Sequence, residues 1–594
     1  MKNQFLALLL FAIPQILIAQ TTVSGTISEN TSWTLTGSPY VIDGLVTVAQ
    51  GVTLVIEPGV IIKRTGYSTQ SSMWVSGTLI AVGNPAQPIV FTSHRDDSYG
   101  GDTNGDGSST LPAAGDWSNI MISETGGNSQ LEYCIFKYGG YVYQVANVAT
   151  LQVRGSSPTV SNCLFSNCVR GVGVTHAGNP SLSGNHFEQC TDVPVIKDLT
   201  TQVSFENNTF SDNAFSGIGL VPRAHSGSGE SYTLSKANLG NLANAPYIIP
   251  STNVPIDGLS IEAGVSLTIE PGVVVKRSGS YAGIQSALTI RGTLIAQGTS
   301  TEPIIFTSIR DDEAGGDTNN DGNTTSPGNG DWANIKLLGN DGNSIMEYCI
   351  FKYGGYVYQV SNIAALQVSN GSPVISNCLF SKCVRGVGVT HAGNPSLSGN
   401  HFEQCTDVPV IKDLTTQVSF ENNTFSGNAF SGIGLVPRAH SGSGESYTLS
   451  KANLGNLANA PYIIPSTNVP IDGLSIEAGV SLTIEPGIVI KRSGSYAGVQ
   501  SAMTIRGTLI AQGTSTEPII FTSIRDDEAG GDSNNDGNAT VPNPGDWKGL
   551  FIASNNGTLS NLENCIFRFG GDGALTTEGN PAGKTHHNPS IFAR

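Results

Sequence analysis

The sequence is poor in charge. Asp, Glu, Lys and Arg make up 13% of its 594 residues, about half of the usual quarter. The charges present are mostly acidic, giving a formal net charge of −17, and no basic stripe with interleaved aromatic residues is found. Binding to the phosphate backbone of nucleic acids is therefore disfavoured.

Long hydrophobic runs are missing after Gln20. The segment before it carries Lys2, an apolar run from Phe5 to Ile18, and the small residue Ala19. This pattern predicts a secretory signal peptide over residues 1–20, cleaved near Ala19 or Gln20 and too short for a comfortable membrane span. We expect the mature protein to be secreted or held at the cell surface, without a membrane span.

Sustained helical hydrophobic periodicity is also missing, so we expect almost no helix after the signal peptide. Short apolar alternations separated by turn residues are abundant instead. In one of them, Leu267 and Ile269 alternate with polar residues, and Gly272 and Gly292 mark corners. Alternation with a period of two indicates strands with one buried face. The composition and pattern predict an all-β protein.

A short motif recurs between residues 160 and 213: an apolar residue, two variable residues, Cys or Asn, one variable residue, and Phe. Its phenylalanines, Phe165, Phe187 and Phe210, follow one another at nearly equal intervals. Repeats this short are single supersecondary units that bury apolar side chains only by stacking on their neighbours.

The nine cysteines include no CxxC pair, which argues against zinc and thioredoxin-type sites. Cys134 and Cys163 fill the slot that Asn185 and Asn208 fill in later repeats. Stacked strands lie about 4.8 Å apart, within disulfide reach. Two interpretations stay open: free buried thiols in a mixed Cys/Asn ladder, or disulfides between successive rungs.

The Cys/Asn-x-Phe segments SNCLFSNC, GNHFEQC and ENNTFSDN resemble the parallel β-helix repeat of the pectin-lyase-like superfamily. The passage from LTIEPGVVVK through GDTNNDG to GDW is similar to repeats in exported β-helix proteins of Bacteroidetes-type bacteria, and the resemblance covers nearly all of residues 40–570. It implies a right-handed parallel β-helix solenoid with three short parallel sheets. It implies little about activity, because the superfamily includes lyases, hydrolases, epimerases and adhesins.

The short motif lies within a longer sequence repeat. Trp117, Trp332 and Trp547 are equally spaced along the chain, and residues 168–211 recur unchanged at 383–426. After the signal peptide we divide the chain into three β-helix units, the third incomplete and ending in an irregular tail: 22–229, 230–444 and 445–594.

Each unit contains an acidic insertion with the pattern D-x-N-x-D-G, the first half of an EF-hand-type calcium loop. Alternate residues of such a turn aim hard oxygens at one centre, and the Gly permits the turn. We predict structural calcium at the following residues: Asp102, Asn104 and Asp106; Asp317, Asn319 and Asp321; Asp532, Asn534 and Asp536.

The Glu that usually ends such a calcium loop is missing, because Ala113, Gly328 and Asn543 stand at the twelfth position. We expect a further carboxylate from Asp96–Asp97 or from Asp116. The alternative interpretation is an acidic surface turn that binds no ion.

The sequence motifs that the resemblance associates with polysaccharide lyases and galacturonan hydrolases are not present as a set. The best local constellation for acid–base chemistry recurs twice: Arg170, His176, Asp192, Lys197 and Asp198, then Arg385, His391, Asp407, Lys412 and Asp413. The alternative is a set of solvated side chains on the face of a rung.

Two groups of tyrosines could stack against sugar rings or pack against their own rungs: Tyr138, Tyr141 and Tyr143, and Tyr353, Tyr356 and Tyr358. Our first hypothesis is an exported, non-enzymatic rod at the cell surface or in the matrix, which binds polysaccharide through repeated faces. The second is a polysaccharide lyase or glycosidase.

Overall fold

The computed structural model describes most of the chain from Gln20 onward, apart from several internal segments and part of the C-terminal tail. The described ranges are 20–66, 72–141, 149–250, 258–277, 287–339, 344–356, 364–465, 473–493, 503–553 and 560–571, with strands at 575–578, 586–587 and 592–593. The predicted signal peptide (except Gln20), Tyr143 and Tyr358 lie outside the described residues.

The chain forms two compact units, residues 1–196 with 201–214, and residues 197–200 with 215–594. In both units most strands pair in parallel with the third strand along the chain, so three strands complete one turn. This arrangement confirms the predicted all-β class and the parallel β-helix.

The first unit has three parallel sheets. Two longer strands, Thr21–Ile27 and Tyr40–Val48, pair with each other at the start of the unit, and each bends around a corner. The first sheet contains Thr31–Trp33, Thr53–Ile56, Thr78–Val82, Gln130–Glu132, Thr159–Ser161, Ser181–Ser183 and Ser204–Glu206. The second contains Ile61–Arg64, Ile89–Ser93, Cys134–Lys137, Leu164–Ser166, His186–Glu188 and Thr209–Ser211. The third contains Met73–Val75, Ile120–Ile122, Leu151–Arg154, Val172–Thr175 and Val195–Lys197.

The second unit has one sheet of thirteen strands. They are Ala224–His225, Leu259–Ile261, Leu288–Ile290, Ile335–Leu337, Leu366–Ser369, Val387–Thr390, Val410–Lys412, Ile433–Leu435, Tyr462–Ile464, Val489–Arg492, Ile519–Ser523, Cys565–Phe567 and Phe592–Ala593. This thirteen-stranded sheet is the face that continues past residue 435.

The other two faces of the second unit are each interrupted. One begins with a seven-stranded sheet: Ser231–Leu234, Ser266–Ile269, Thr293–Gln297, Ile345–Glu347, Val374–Ser376, Ser396–Ser398 and Ser419–Glu421. The other begins with Ile218–Leu220, Tyr247–Ile249, Val274–Arg277, Ile304–Ser308, Cys349–Lys352, Leu379–Ser381, His401–Glu403 and Thr424–Ser426. Two five-stranded sheets follow: Ala439–His440, Leu474–Ile476, Met503–Ile505, Leu550–Ala553 and Leu575–Glu578; and Ser446–Leu449, Ser481–Ile484, Thr508–Gln512, Asn561–Glu563 and His586–His587.

Helix is nearly absent from the described residues, as predicted: the one helical segment is the 3-10 turn Leu35–Gly37. No helix in the described part of the chain has the length and apolar character that crossing a membrane requires.

The predicted phenylalanine ladder fills the interior. The rings of Phe136, Phe165, Phe187 and Phe210 stack in sequence with centroid separations of 4.7, 4.9 and 5.0 Å. In-register parallel pairing places each ring over the next, as with Phe165 and Phe187. Removal of one such buried ring costs about 3–5 kcal/mol in a typical core.

The Cys/Asn slot also forms a ladder. The backbone N–H of Cys163 donates to Asn185 Oδ1 at 3.0 Å, and the N–H of Asn185 donates to Asn208 Oδ1 at 3.0 Å. All nine cysteines are free and buried, and burial raises the pKa of Cys168 to about 11. The structure therefore agrees with the free-thiol interpretation of the ladder and not with inter-rung disulfides.

Candidate metal centre

A buried lysine holds the base of the first acidic loop. Lys63 is 0% exposed, and its Nζ donates to the carbonyl oxygens of Asp96 at 2.9 Å and Gly101 at 2.6 Å. Lys276 and Lys491 make the equivalent contacts in the other two copies. Burial lowers the pKa of both to about 8, although nearby carboxylates act in the opposite direction. No sequence signal marks this anchor, because the lysine lies in an otherwise ordinary strand.

Three carboxylates converge within each acidic loop. In the first copy, Asp97, Asp102 and Asp106 each place one carboxylate oxygen within 4.8 Å of the others. The other two copies repeat the cluster with Asp312, Asp317 and Asp321, and with Asp527, Asp532 and Asp536. The structure therefore brings the predicted aspartates together with Asp97, one of the predicted candidates for the further carboxylate.

The loop is folded by its own carboxylates. Asp102 accepts backbone N–H bonds from Gly105 at 2.7 Å and Gly107 at 2.8 Å. Asp106 accepts from the backbone and the hydroxyl of Thr110. The Thr110 hydroxyl is the main cause that lowers the pKa of Asp106. These bonds fix the turn that the D-x-N-x-D-G pattern predicts.

Two enclosed oxygens in each loop have no hydrogen-bond donor. In the first copy they are Asp97 Oδ1 and Asn104 Oδ1. The Nδ2 of Asn104 donates to Asp106 at 2.9 Å and to Thr110 at 3.2 Å, which fixes the orientation of its amide. The equivalent oxygens belong to Asp312, Asn319, Asp527 and Asn534. An enclosed oxygen without a partner is costly, so each loop has acceptor capacity for a ligand.

The clustered carboxylates repel one another. Burial, and then the neighbouring charge of Asp317, raise the pKa of Asp312, while Lys276 acts in the opposite direction. The same causes raise the pKa of Asp527 in the third copy. A bound cation would offset this repulsion.

The two predicted sources of the additional carboxylate, Asp96–Asp97 and Asp116, have different surroundings in the structure. Asp97 joins the cluster. Asp96 is buried and accepts from the hydroxyl of Thr92 at 2.7 Å. Asp116 forms an ion pair with Arg95 at 3.0 Å and accepts from Ser93 at 2.8 Å. The suggestion that Asp116 supplies the carboxylate is therefore wrong, since its oxygens face a different set of partners.

Three charged residues of the first catalytic candidate are engaged in ion pairs, namely Arg170, Asp192 and Asp198. In the first unit, Arg170 contacts Asp192 through Nε at 2.8 Å and Nη2 at 2.5 Å. In the second unit, Asp198 pairs with Arg223 at 2.9 Å. Burial lowers the pKa of Lys197. His176 lies at a turn with a positive φ of 56°.

The repeated constellation in the second unit separates into two pairs. Arg385 contacts Asp407 at 2.8 Å. Asp413 pairs with Arg438 at 3.0 Å and accepts the backbone N–H of His391 at 3.2 Å. Lys412 joins neither pair and lines a cleft instead. These side chains therefore make the contacts of structural residues and do not converge into an acid–base pair.

The tyrosines of the predicted sugar platform differ in exposure. Tyr353 is buried at 5% exposure, and Tyr356 is 39% exposed. Tyr138 and Tyr141 are half-buried. The Nζ of Lys137 lies 5.1 Å from the ring centroid of Tyr138. Tyr356 offers the most accessible ring face among these four.

Parts of the chain match the models of two protein families. Residues 116–231 and 331–443 match a family model described as a right handed beta helix region. Residues 25–143 match one described as a pectate-lyase like beta helix domain. No curated protein and no solved structure was found to match the chain.

Proposed function

Since the chain is a right-handed parallel β-helix repeat protein, we propose that it is an exported, non-enzymatic scaffold whose acidic loops bind structural calcium. The observation that carries this proposal is the set of enclosed, donor-free oxygens beside the carboxylate cluster. The arrangement is found in all three loops, including Asp97 and Asn104 in the first.

The donor set favours calcium over other metals. The cluster offers carboxylate and amide oxygens from Asp97, Asp102, Asn104 and Asp106. Hard oxygens suit calcium, magnesium and manganese, whereas soft metals prefer thiolate and imidazole ligands. Calcium accepts six to eight oxygens in flexible geometry, and magnesium demands a strict octahedron. An irregular turn with several oxygens fits the more permissive ion.

The scaffold would bind polysaccharide or cell-surface glycan through its repeated surface. Tyr356 supplies an accessible ring for stacking against a sugar. The repetition of whole segments supports a multivalent surface, which gains avidity when several weak sites engage together. Location outside the cell or on its surface follows from the leader predicted from the sequence.

A polysaccharide lyase or glycosidase is the second candidate. The match of residues 25–143 to a pectate-lyase like domain favours it, as does an amine at Lys412 that faces a cleft. Incubation with acidic polysaccharides should give no unsaturated or reducing products if the scaffold proposal is right. Sustained turnover that disappears in Lys197→Gln and Lys412→Gln would favour the enzyme.

Calcium binding is tested by melting the protein with calcium, with magnesium and with a chelator. We expect calcium to raise the melting temperature, because a ligand that binds the folded state stabilises it. Titration calorimetry should give three sites per chain, one for each loop. The triple variant Asn104→Ala, Asn319→Ala and Asn534→Ala should lose the response. A melting temperature that chelator leaves unchanged would overturn the calcium proposal.

A further inference from the structure

Two sheets of the second unit each have a terminal strand that lines one cleft. The seven-stranded sheet ends at Ser419–Glu421, and a five-stranded sheet of the same unit begins at Ser446–Leu449. Ser419–Glu421 pairs with Ser396–Ser398, and Ser446–Leu449 pairs with Ser481–Ile484. In the described part of the chain, no strand pairs with the other edge of either one.

A cleft of about 770 Å³ lies between these edges. Phe420 and Ser419 line one side, and Ser446, Tyr447 and Thr448 line the other. Its volume is in the range of specific ligand sites. The cleft therefore separates two sheet edges by a space large enough for another segment.

The first edge directs backbone groups into the cleft. The N–H of Ser419 donates to Pro395, and the carbonyl of Glu421 accepts from Gly399, both on the preceding rung. Alternate residues of a parallel strand direct their N–H and C=O groups to opposite sides. The N–H and C=O of Phe420 therefore point toward the cleft.

The second edge does the same from the opposite side. The carbonyl of Glu445 accepts from Ser481, and the carbonyl of Leu449 accepts from Glu485, both on the following rung. By the same alternation, the N–H and C=O groups of Thr448 point back toward the cleft. Both edges thus present unpaired strand hydrogen-bonding groups to one space.

The interior ladder is interrupted at the same place. Phe420 pairs in register with Leu397, and Tyr447 pairs with Leu482. Leu397 and Leu482 are each 0% exposed, whereas Phe420 and Tyr447 are half-buried. An apolar side chain between Phe420 and Tyr447 would continue the ladder.

A cation also faces this space. Lys412 lines the cleft, and no hydrogen-bond or ion-pair partner of its Nζ is found among the residues that the structure describes. Its neighbour Asp413 is engaged with Arg438 at 3.0 Å. An occupant that carries a carboxylate would satisfy this ammonium group.

We propose that this cleft binds an extended acidic peptide, which adds a strand between Ser419–Glu421 and Ser446–Leu449. Its central apolar side chain enters the interior between Phe420 and Tyr447, and a carboxylate next to it reaches Lys412. A peptide fits better than a sugar because only a peptide backbone offers alternating N–H and C=O groups to two facing edges.

The test uses the full chain and a labelled peptide with the sequence of residues 416–424, TQVSFENNT. This peptide carries one strand of the ladder, with an apolar centre and an adjacent carboxylate. We expect saturable binding by fluorescence anisotropy, and hydrogen–deuterium exchange should show new protection at Phe420 and Thr448.

Matched variants test the contacts separately. Lys412→Gln, introduced together with Lys197→Gln because residues 197–209 repeat residues 412–424, should weaken peptide binding at least tenfold. Lys451→Gln should leave binding unchanged, since the ammonium of this second cleft-lining lysine already pairs with Glu517. Replacing the Glu of the peptide by Gln should weaken binding to the wild-type protein but not to Lys412→Gln. Thr448→Pro removes a cleft-facing N–H and should abolish binding.

An N-methylated peptide repeats the proline test without altering the protein, and it should not bind. The proposal is overturned if no saturable peptide binding is detected, or if Lys412→Gln and the N-methylated peptide have no effect. Binding of an acidic oligosaccharide alone, lost in Lys412→Gln, would also overturn it and would assign the cleft to glycans.

Discussion

Lys276 illustrates how a single buried charge is tolerated. Its pKa of about 8 lies below the ordinary 10.5 because burial disfavours the ammonium form. Such a shift lowers the free energy of unfolding by about 3 kcal/mol at pH values where the lysine is charged in both the folded and the unfolded state. The penalty is relieved as pH rises from about 8 to 10.5, where the folded protein loses its proton first. Hydrogen bonds from the ammonium group to the carbonyl oxygens of Asp311 and Gly316 offset part of this penalty.

Substitution Lys276→Met should loosen one acidic loop. The carbonyl oxygens of Asp311 and Gly316 would lose their buried donor. Changes behind a metal site usually weaken binding about tenfold or more. Calorimetry should then show two strong calcium sites and one weakened site. The control Lys236→Met alters a half-exposed lysine that pairs with Glu302, and retention of three equal sites in Lys276→Met would contradict the anchoring role.

His440 should make the fold sensitive to acid. It is 3% exposed, and burial lowers its pKa from 6.5 to about 4. Between those values the unfolded chain binds the proton more readily, so stability falls as pH drops from about 6.5 to 4. The effect is at most about 3 kcal/mol.

The variant His440→Phe keeps an aromatic ring against Tyr447, whose centroid lies 5.4 Å away. We expect a smaller loss of unfolding free energy between neutral pH and pH 4, measured by denaturant titration at several pH values. An unaltered slope in His440→Phe would show that His440 is not a source of the acid sensitivity.

At the scale of the element, the acidic loop combines a self-supporting turn with an electrostatic penalty. Substitution Asp312→Asn removes one charge from a cluster in which burial, and then repulsion by Asp317, raise the pKa of the Asp312 carboxyl. Without calcium, the variant should therefore melt at or slightly above the wild-type temperature, most clearly at neutral pH. With calcium, its stabilisation should be smaller, because one carboxylate ligand is lost.

The opposite signs of these two effects separate a metal site from an ordinary turn. The control Asp331→Asn alters a carboxylate that pairs with Arg310 at 3.2 Å outside the cluster. It should leave the calcium response intact. Equal responses of Asp312→Asn and wild type to calcium would argue that Asp312 is not a ligand.

The Cys/Asn ladder predicts which substitutions a rung accepts. Asn400 receives the N–H of Cys378 at 2.9 Å and donates to the carbonyl of Ile375 at 2.9 Å. Asn400→Cys keeps a small polar group that other rungs use, and it should cost about 1 kcal/mol. Asn400→Leu leaves several backbone groups unpaired and overfills the slot, so it should cost about 3 kcal/mol or more. Denaturant unfolding measures both, and equal costs would contradict the ladder's polar role.

These elements show why some features follow from sequence and others do not. The Phe and Cys/Asn ladders are local repeats, and in-register pairing converts their spacing directly into contacts, as between Phe165 and Phe187. Asp97 could be recognised as a candidate because it lies close to the D-x-N-x-D-G turn. Its choice over Asp116 depends on the ion pair of Asp116 with Arg95, which only the folded corner creates.

At the scale of the molecule, the sequence repeat and the spatial repeat differ. In the second compact unit, the strands Ile218–Leu220 and Ile433–Leu435 are equivalent in sequence, but their separation in chain order is one strand more than a whole number of turns. Since three strands make one turn, equivalent strands fall one face further along. Val489–Arg492 accordingly lies in the sheet of Ile335–Leu337, whereas its equivalent, Val274–Arg277, lies in another sheet.

This shift explains the interrupted faces near residues 419–449. A sequence repeat that ends one strand past a whole number of turns must transfer each ladder to a new face. Among the strands that the structure describes, only the thirteen-stranded sheet continues past this point without a break. The equal spacing of Trp117, Trp332 and Trp547 gives no sign of this, because rungs differ in length through their loops. The number of strands in one long repeat, and therefore the position of the cleft, is visible only in the folded structure.

The repeat should also be removable as a whole. Deletion of residues 217–431 joins Ser216 to Gly432 and restores the local sequence Ser-Gly-Ile-Gly, because the deleted segment is one full copy of the long repeat. Every rung beside the junction then meets the neighbour that its sequence normally meets. We expect a cooperatively folded protein with two calcium sites instead of three, counted by calorimetry.

A deletion of 217–435 removes the same acidic loop and also the strand Ile433–Leu435, and it joins Ser216 to Val436, out of phase with the rungs. With one strand fewer, each later strand falls one face away from the neighbour that its sequence normally meets. We expect this protein to aggregate or to lose cooperative unfolding, although it is only slightly shorter than the in-phase deletion. Equal stability of the two deletions would mean that the phase of the long repeat does not matter for folding, contrary to the ladder contacts that the structure describes.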